Sequence, residues 1–412
     1  MRASHIGGFL SKSSISLSFF PRTAAPIPLC ASAIDVAISP IADIDELEPS
    51  WRALAAQAEH SFFLSWPWIG TWLRHLPAGT EPHLLTARIS GRIVGLAVLC
   101  RRPAWRLRLR PRSRWLLNET GDSSYDRLFV EYNGVLAERS SADAVVAACM
   151  EAAMAGMARA DRLVLSGVEP GIETAARHAA DRAGLPVEVR LSEAASWIDL
   201  ADVGRNSYRT TLGRNSRQAL SRAMRLYAER GTVEHRVMET PQEALAAFAA
   251  MEPFHQQRWG RAGAFVCPAF RPFHEDLVAR GVSEGVVRIS RTLVGGETVG
   301  VLYNFVHDGV VLNYQSGFLY ESDNRLKPGL VSHVLAIEDA IARGERGYDF
   351  MAGAAGHKHH LANAERPMNW LLVGNDIVEN RIEAAIGEVM RTLGRWRRRR
   401  PTATGRNEAG RT

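Results

Sequence analysis

The sequence predicts an α/β protein in which one succession of elements occurs twice. Short runs of alternating apolar and polar residues are joined by dipeptides such as Ser90-Gly91 and Gly295-Gly296. They indicate β-hairpins, because these dipeptides supply the positive φ angles that tight turns need. Stretches of helical periodicity, each followed by a short apolar run, indicate helices that lead into strands. Both signals return in the same order, and we therefore expect a duplicated unit.

In the first half, residues 82–102 predict two strands joined by a tight turn. A third strand is expected over residues 127–132. The alanine-rich segment 143–160 then predicts a helix, and the run RLVLSG at 162–167 predicts the strand that follows it.

In the second half, residues 286–318 predict three strands with glycine-containing turns at 295–296 and 308–309. A helix over 329–343 leads into a strand over 348–353, which reads YDFMAG. Hairpin, strand, helix and strand thus recur at offsets of 205 and 186 residues. The repetition favours two related domains.

The segments between and after these units predict further helices. An arginine-rich amphipathic helix over 205–231 opens the second half, and PQEALAAFAAMEPFHQQRW predicts another helix that ends near Gly260. A last helix is expected over 376–391, before an arginine-rich tail. The predicted organisation is a disordered leader or over-long start at 1–34, domains at 35–200 and 201–375, and a helix with a tail at 376–412.

Composition excludes several classes of protein. The chain has 412 residues, of which 46% are hydrophobic and 23% charged, as in globular proteins. No apolar run approaches the ~20 residues of a membrane span. The four cysteines are far apart, which excludes a disulfide framework and fits a reducing cytoplasm. Residues 1–34 lack the continuous apolar core of an export signal, so we expect a cytoplasmic protein.

The net charge of +6 comes from the C-terminal tail. Residues 391–412 hold eight arginines and one glutamate, and the rest of the chain has 42 basic and 43 acidic residues. A near-neutral body argues against a large nucleic-acid footprint. The tail could contact an anionic membrane surface at the inner face, with Trp396 as an interfacial anchor, or could be a disordered, solubilising end.

The loop before the second-half helix could bind an anion. Pro328 fits the first helical position, so the amides of Gly329, Leu330 and Val331 would point out of the helix N-terminus. Arg325 and Lys327 precede them, whereas the matching first-half loop, AERSSADAVV, has one arginine and no lysine. The alternative interpretation is an ordinary capped helix start.

The strand YDFMAG ends in a candidate catalytic segment. Asp349 lies in an apolar strand, where a carboxylate is costly to bury unless it is bonded or functional. Gly353 would allow the backbone to approach a ligand closely, and Lys358 follows among three histidines. Asp349 and Lys358 could instead pair with each other or with arginines. The H-x-H-H spacing is poor for a zinc site, and we expect no metal.

Several motifs together resemble the CelD/BioF2-like branch of the GNAT acyltransferases. FFLSWPWIGTWLRHL and LLTARISGRIVGLAVL are similar to the N-terminal part of that family. FHQQRW is similar to its H-x-x-R-W motif, and RLKPGLVSHV with YDFMAGAAGHK to its P-G helix and D-F-x-x-G-x-x-x-x-K elements. The resemblance runs from about residue 35 to residue 375.

This resemblance implies two tandem GNAT-like domains, each a mixed, mostly antiparallel sheet flanked by helices, as in the FemABX transferases. It implies a site for acetyl-CoA or another acyl-CoA in the second domain. The pantetheine arm would lie between the strands near 310–316 and 348–353, and the pyrophosphate at Gly329, Leu330 and Val331. The sequence Arg325-Leu-Lys-Pro-Gly329 departs from the family's usual Q/R-x-x-G-x-G/A loop.

The resemblance also suggests roles for single residues. Asp349 or His255 would take the acceptor's proton, and Lys358 would bind an anionic acceptor or the developing charge. Tyr314 would protonate the leaving thiolate, unless it is a core tyrosine. Arg258 and Trp259 would bind the substrate.

The predicted function is transfer of an acyl group from acyl-CoA to an amine or hydroxyl, in cell-surface polysaccharide or lipid biosynthesis, with a small-molecule, glycan or lipid acceptor. The alternatives are FemABX-like transfer from aminoacyl-tRNA and a non-catalytic, membrane-associated scaffold.

Overall fold

The hairpin signals of the sequence lie in one mixed sheet of 13 strands. The computed structural model describes residues 33–104, 112–122, 125–158, 161–203, 208–353 and 360–374, and those from Ile34 onward belong to one compact unit.

The first half contains β1 (Ile34–Pro40), α1 (Ile44–Ala55), α2 (Trp66–Arg74), β2 (Pro82–Ile89), β3 (Arg92–Ala104), β4 (Arg112–Leu117), β5 (Leu136–Ala137), α3 (Ala142–Ala155), β6 (Arg162–Val168), α4 (Pro170–Ala183) and β7 (Val187–Asp199).

The second half contains α5 (Leu200–Val203), α6 (Arg214–Ala228), β8 (Val233–Val237), α7 (Pro241–Trp259), α8 (Phe270–Gly281), β9 (Val287–Val294), β10 (Glu297–His307), β11 (Val310–Phe318), α9 (Pro328–Ala342), β12 (Gly347–Asp349) and β13 (Ala364–Val373).

The strand order reads the same from either edge of the sheet. It is β1-β2-β3-β4-β6-β13-β7-β12-β11-β10-β9-β8, with β5 paired to β3. Within each half one pair is parallel, β4 with β6 and β11 with β12, while the other pairs are antiparallel. A helix joins the two strands of each parallel pair, as a parallel connection requires. The fold is therefore α/β with two tandem units of the same arrangement.

The two halves exchange their last strands. β7 of the first half pairs with β12 of the second, and β13 of the second half pairs with β6 of the first. β7 and β13 also pair with each other over ten residues at the centre of the sheet. Separating the halves would break all three ladders. The domain boundaries at 35, 201 and 376 stay predictions.

Three clusters of buried side chains support the sheet. The first brings together α1 and α2 with the corresponding helices α7 and α8, and it includes Trp51, Trp68, Phe248 and Phe305. The second lies under α3 and α4 of the first half, and the third under α6 and α9 of the second. Each half thus covers its sheet with helices on both faces.

The predicted hairpins are confirmed. The β2–β3 turn has positive φ at Ser90 and Gly91, and the β10–β11 turn at Asp308 and Gly309. Predicted helices and strands also match α3, β6, α7 and α9, and α6 begins at Arg214, later than expected. The helix expected over 376–391 lies outside the described residues.

Two strand predictions need correction. The strand expected over 127–132 is wrong, because Phe129 and Tyr132 adopt left-handed φ of 50°, which no strand accommodates. The strand expected over 348–353 ends at Asp349, since Met351 has a φ of 60° and donates its amide to the Asp349 carboxylate at 2.6 Å. In the described part of the chain, no helix is long and apolar enough to cross a membrane.

Candidate functional site

The N-terminus of α9 lies where the anion site was expected. Pro328 occupies the first helical position, and no side chain caps the helix at Lys327. Gly329 and Leu330 take the next two positions, where helix amides have no partner in the preceding turn. Val331 differs from the prediction, because its amide donates to the carbonyl oxygen of Lys327 at 3.0 Å. Of the three predicted amides, those of Gly329 and Leu330 are left for an anion, and the anion site itself stays a prediction.

The two basic residues before α9 differ in availability. Arg325 donates from Nε and Nη2 to the carboxylate of Asp323, and these bonds hold the pKa of Asp323 at about 2. Lys327 is exposed and forms no ion pair with any residue that the structure describes. Lys327 is thus the cation that could meet an anion at this helix, whereas Arg325 shapes the loop.

Gly329 packs against β11. A Cβ atom placed on Gly329 would lie 3.1 Å from the ring of Phe318, closer than ordinary van der Waals contact. The start of α9 is therefore held directly against the last residue of β11. This contact joins the helix N-terminus to the strand that leads into it.

β11 and β12 diverge next to this helix. Their parallel pairing covers Val310 to Leu312 on β11 and ends at Asp349 on β12. Two residues further along β11, the register with β10 shifts so that Tyr314 has no partner opposite it. Such a bulge bends a strand away from its neighbour. No ladder pairs β11 with the described residues that follow Asp349, and we call this end of the β11–β12 pairing the gap.

Asp349 lies buried at the start of this gap. Its side chain is 1% exposed, and Tyr132 of the first half donates its hydroxyl to the carboxylate at 2.5 Å. Burial, and then the charge of Asp349, raise the pKa of Tyr132 well above its ordinary value, so the hydroxyl keeps its proton. A phenol from one half thus orients a carboxylate of the other.

A second carboxylate joins the halves at the same place. Glu131 accepts the amide of Ala352 at 2.8 Å. The residues on both sides of this junction are strained, since Phe129, Tyr132 and Met351 all adopt left-handed φ near 50–60°. Left-handed conformations of non-glycine residues are costly and concentrate at functional sites. This junction therefore belongs to the candidate site.

Tyr314 lies in the aromatic core. Its ring packs near Phe63, Trp68 and Phe305, and its hydroxyl donates to the carbonyl oxygen of Leu128. Burial raises the pKa of Tyr314 well above its ordinary range. The geometry gives Tyr314 the surroundings of a core tyrosine, and its role as a proton donor stays a prediction.

His255 is buried beside β11. It is 3% exposed, and its side chain bonds to that of Gln315. Burial lowers its pKa, so the ring is neutral near pH 7 and able to accept a proton. Its Nδ1 has no hydrogen-bond partner among the described residues and would lie 2.9 Å from a Cβ on Gly263. The role of His255 as a base stays a prediction.

Arg258 and Trp259 lie at the exposed end of α7. The Arg258 guanidinium lies between two exposed rings, 5.5 Å from the centroid of Trp259 and 5.7 Å from that of Tyr320. Tyr320 comes two residues after Phe318, which contacts Gly329. The predicted substrate-binding pair thus contacts Tyr320 just after β11, and β11 contacts the start of α9 through Phe318.

The structure describes Gly353 of the predicted site but not Lys358. Gly353 has a φ of 116°, a conformation that glycine alone adopts readily. Lys358 and its neighbouring histidines His357 and His359 lie outside the described residues. Within the described ranges, no group of three or more histidine, cysteine, aspartate or glutamate side chains could hold a metal ion.

Two surface cavities lie away from this site. One, of about 130 Å³, is lined by Trp66, Arg74 and Arg280, and the other, of about 360 Å³, by His60, His307 and Arg346. Neither contacts the start of α9 or Asp349. They do not contribute to the candidate site.

Comparison with known families matches the part of the chain that builds the site. Residues 214–359 fit the model of an acetyltransferase (GNAT) domain. These residues begin at α6 and continue past β12, so they include β11, α9 and Asp349. The GNAT match thus covers the residues that build the candidate site.

Solved structures resemble the chain beyond this GNAT domain. FemX has a TM-score of 0.51 at 12% identity, covering 82% of this chain and 96% of that one. L-PGS from Bacillus licheniformis has a TM-score of 0.49 at 13% identity, covering 84% and 96%. A tandem GNAT protein from the clavulanic acid biosynthesis pathway has 0.43 at 16%, covering 82% and 98%. At such identities the FemX match concerns the fold alone, and it spans both halves.

A search of curated protein sequences returned no match. The assignment to the CelD/BioF2-like branch stays a prediction, while a GNAT domain over residues 214–359 and the tandem arrangement of the strands are confirmed.

Sequence reasoning missed the first-half residues that reach the GNAT site. Glu131 and Tyr132 fell in a segment predicted as an ordinary strand. The one signal was the acidic residue beside a tyrosine in an otherwise apolar run, LFVEYNG. Their partners, Ala352 and Asp349, lie more than 200 residues away.

Proposed function

We propose that this protein transfers an acyl group from an acyl-CoA thioester to an amine or hydroxyl acceptor at the gap between β11 and β12. The observation that supports this most is the combination of a GNAT domain match with an uncapped helix N-terminus beside diverging parallel strands. A helix N-terminus favours phosphate groups through its amides and its dipole.

The donor would bind along β11. Its pyrophosphate would accept from the amides of Gly329 and Leu330, with Lys327 adding a positive charge. The pantetheine arm would extend into the gap toward Asp349, next to Gly353. No residue of this seat needs to move far, because Phe318 holds the helix start against the strand.

The chemistry needs orientation and one base. The acceptor nitrogen or oxygen attacks the thioester carbon, its proton passes to Asp349 or His255, and the carbon–sulfur bond breaks to release the thiolate, which then takes up a proton. Asp349 is held by Tyr132 and by the amide of Met351, which fixes its orientation. No enzyme side chain becomes acylated in this scheme.

The acceptor would enter from the junction of the two halves. Glu131 and Tyr132 border Asp349 on this side, and Arg258 with Trp259 offers an exposed cation and ring beside His255. Lys358 would contact an anionic acceptor. These features suit a polar acceptor such as a glycan or a lipid head group, and a role in cell-surface polysaccharide or lipid biosynthesis is part of the proposal.

The first test is calorimetric titration of acetyl-CoA and longer acyl-CoAs into the full chain, with Gly329→Asp and Gly329→Ala in parallel. Both variants add the same Cβ against Phe318, so their difference isolates the carboxylate. We expect binding at least tenfold weaker in Gly329→Asp and within about threefold of wild type in Gly329→Ala, because a charge at the seat opposes phosphate while a methyl does not.

Absence of binding for every CoA thioester would overturn acyl-CoA dependence. Aminoacyl-tRNA would then be the donor to test, and a scaffold role would remain if that donor also failed to bind. Equal weakening in both Gly329 variants would place the phosphate elsewhere.

A further inference from the structure

The larger surface cavity lies at the junction of the two halves. It has a volume of about 360 Å³ and is lined by His60 and Arg139 of the first half and by His307 and Arg346 of the second. The centroids of the two imidazole rings are 4.6 Å apart. Four side chains that can carry a positive charge thus meet in one cavity, although they are far apart in the chain.

Hydrogen bonds determine which nitrogen of each ring carries the proton. His60 Nδ1 lies 2.8 Å from the carbonyl oxygen of Ser61, and His307 Nε2 lies 2.8 Å from that of His60. Because a carbonyl oxygen only accepts, these two nitrogens are the donors of the neutral rings. The remaining nitrogens, His60 Nε2 and His307 Nδ1, have no partner among the described residues, and neither is fully buried. Each can therefore take up a proton.

The fixed charges around the rings nearly cancel when both rings are neutral. Asp308 accepts from Arg346 Nη2 at 2.6 Å, so these two charges offset each other. Arg139 and Glu59 are exposed on the lining and carry opposite charges. The Arg139 guanidinium has no hydrogen bond or ion pair with the part of the chain that the structure describes. Each proton that a ring takes up would thus give the cavity a net positive charge.

The charge of the two rings depends on what the cavity holds. Burial lowers the pKa of both His60 and His307, and the neighbouring ring and Arg346 lower that of His307 further, while Asp308 acts in the opposite direction on both. The rings are therefore neutral near pH 7. A negative ligand would raise both pKa values, so its affinity should increase as the pH falls.

We propose that this cavity binds a phosphate-type oxyanion together with protons that His60 and His307 take up. Arg139 and the two newly protonated ring nitrogens would donate charge-assisted hydrogen bonds to the oxyanion. Arg346, held in place by Asp308, would add a positive charge. The cavity is far larger than the ~30 Å³ that one water molecule takes up in the liquid, so a phosphate group carried on a small molecule also has room.

The proposal is independent of acyl transfer, because anion binding is measured without donor or acceptor. The cavity does not include the start of α9 or Asp349. An anion held by residues of both halves would add a link between them, so binding should also raise the melting temperature.

The test is calorimetric titration of sulfate into the full chain at pH 6 and at pH 8. Sulfate keeps both negative charges over this range, so a change in its affinity comes from the protein. The cavity variant His60→Gln/His307→Gln is compared with His83→Gln/His178→Gln, which removes two histidines of the first half that lie outside the cavity.

We expect wild type to bind sulfate at least about tenfold more tightly at pH 6 than at pH 8, because protonated rings attract the anion. Titrations in buffers of different ionisation enthalpy should show proton uptake at pH 8. The cavity variant should lose both the uptake and the pH dependence, whereas the control should behave as wild type. Each single substitution, His60→Gln or His307→Gln, should reduce the uptake, so the test does not depend on the stability of the double variant.

A further variant tests the arginine, and two further ligands distinguish the sources of phosphate. Arg139→Gln should weaken binding by up to about tenfold at both pH values, because it removes a donor that does not titrate. Inorganic phosphate and glycerol phosphate are titrated at pH 6. Tighter binding of glycerol phosphate would assign the site to phosphate carried on a small molecule, and equal binding to free phosphate; both results agree with the proposal.

Three results would overturn the proposal. The first is absence of sulfate binding at both pH values, and the second is the same pH dependence in the cavity variant and the control. The third is a rise in melting temperature with Zn²⁺ that the cavity variant loses, without anion binding, which would favour a metal site. Among the described residues, no group of three or more histidine, cysteine, aspartate or glutamate side chains could hold a metal ion, so we do not expect this third result.

Discussion

The two parallel strand pairs occupy equivalent places in the sheet. The residues at the ends of the two pairs, and the contacts made there, are different. In the first half, β4 and β6 pair through Leu116 and Val164 and then separate. In the second half, β11 and β12 pair through Leu312 and Asp349 and then separate. The last paired residue is a valine in one gap and a buried aspartate in the other.

The chain itself closes the first gap. Asn133 donates to the carbonyl of Leu117 at the end of β4 and forms a parallel bridge with Val168 of β6. Asn118 in turn donates to the side chain of Asn133 at 2.7 Å. A peptide segment thus sits where a ligand would have to enter.

The second gap is contacted by the same segment, but in a different way. The same first-half segment contacts it through the side chains of Tyr132, which donates to Asp349, and Glu131, which accepts the amide of Ala352. The backbone carbonyl of Leu128 also accepts the hydroxyl of Tyr314. One stretch of chain therefore fills the end of the first parallel pair and donates a hydrogen bond to Asp349 at the end of the second. The duplicated arrangement of strands thus places a buried carboxylate at the end of the second parallel pair and an apolar residue at the end of the first.

The largest expected effect is on the rate of acyl transfer, compared between carboxyl variants at the two gaps. Asp349→Asn should lower the rate of acyl transfer by at least about a hundredfold, because it removes a base in contact with the reacting proton. Glu119→Gln, beside the first gap, should leave the rate within about twofold. Steady-state kinetics with acetyl-CoA and a polar amine acceptor would measure both.

A milder variant refines this result. Tyr132→Phe removes only the hydroxyl that orients Asp349, so its rate should fall between those of wild type and Asp349→Asn, with little change in KM. Calorimetric acyl-CoA binding should be unchanged in all three variants. Equal rates for Asp349→Asn and wild type would assign the proton to His255 instead.

The next effect concerns stability. Asn133→Ala should reduce the free energy of unfolding by about 2–3 kcal/mol, because it removes the side-chain donor to the carbonyl of Leu117 and one of the two acceptors of the buried Asn118 amide. Asn313→Ala, at the mouth of the second gap, should cost only about 1 kcal/mol, since Asn313 bonds chiefly to Asn304. Urea denaturation gives both values; equal losses would show that the first gap is not closed by Asn133.

The smallest effect is a pH dependence in the first gap. Burial, with a further contribution from Asp126, raises the pKa of Glu119 to about 8. A raised carboxyl pKa stabilises the fold at low pH and loses that contribution as the pH rises from the unfolded value of about 4.5 through about 8. Glu119→Gln should therefore melt a few degrees higher than wild type at pH 8 and match it near pH 4.5.

Thermal melts across this pH range would follow the difference. Parallel curves for the two proteins would mean that Glu119 is ionised in the folded state throughout. The surroundings of Glu119 would then tolerate a charge.

The sequence by itself determined the local elements. The turns at Ser90-Gly91 and Asp308-Gly309 were predictable because positive φ depends on the residues themselves. The start of α9 was predictable because Pro328 suits the first helical turn and no other, and the repeated order of elements indicated the duplication. These features depend on interactions between neighbours in the chain.

Only the tertiary structure decided how the halves are joined and what surrounds Asp349. The exchange of β7 and β13 leaves no mark in their composition, since either strand would suit a place in its own half. Residues 127–132 have a strand-like composition. They turn because Tyr132 and Glu131 bond to Asp349 and Ala352, and those hydrogen bonds offset the cost of left-handed backbone. Contacts between residues more than 200 positions apart have no local signal, and in this protein such contacts build the site.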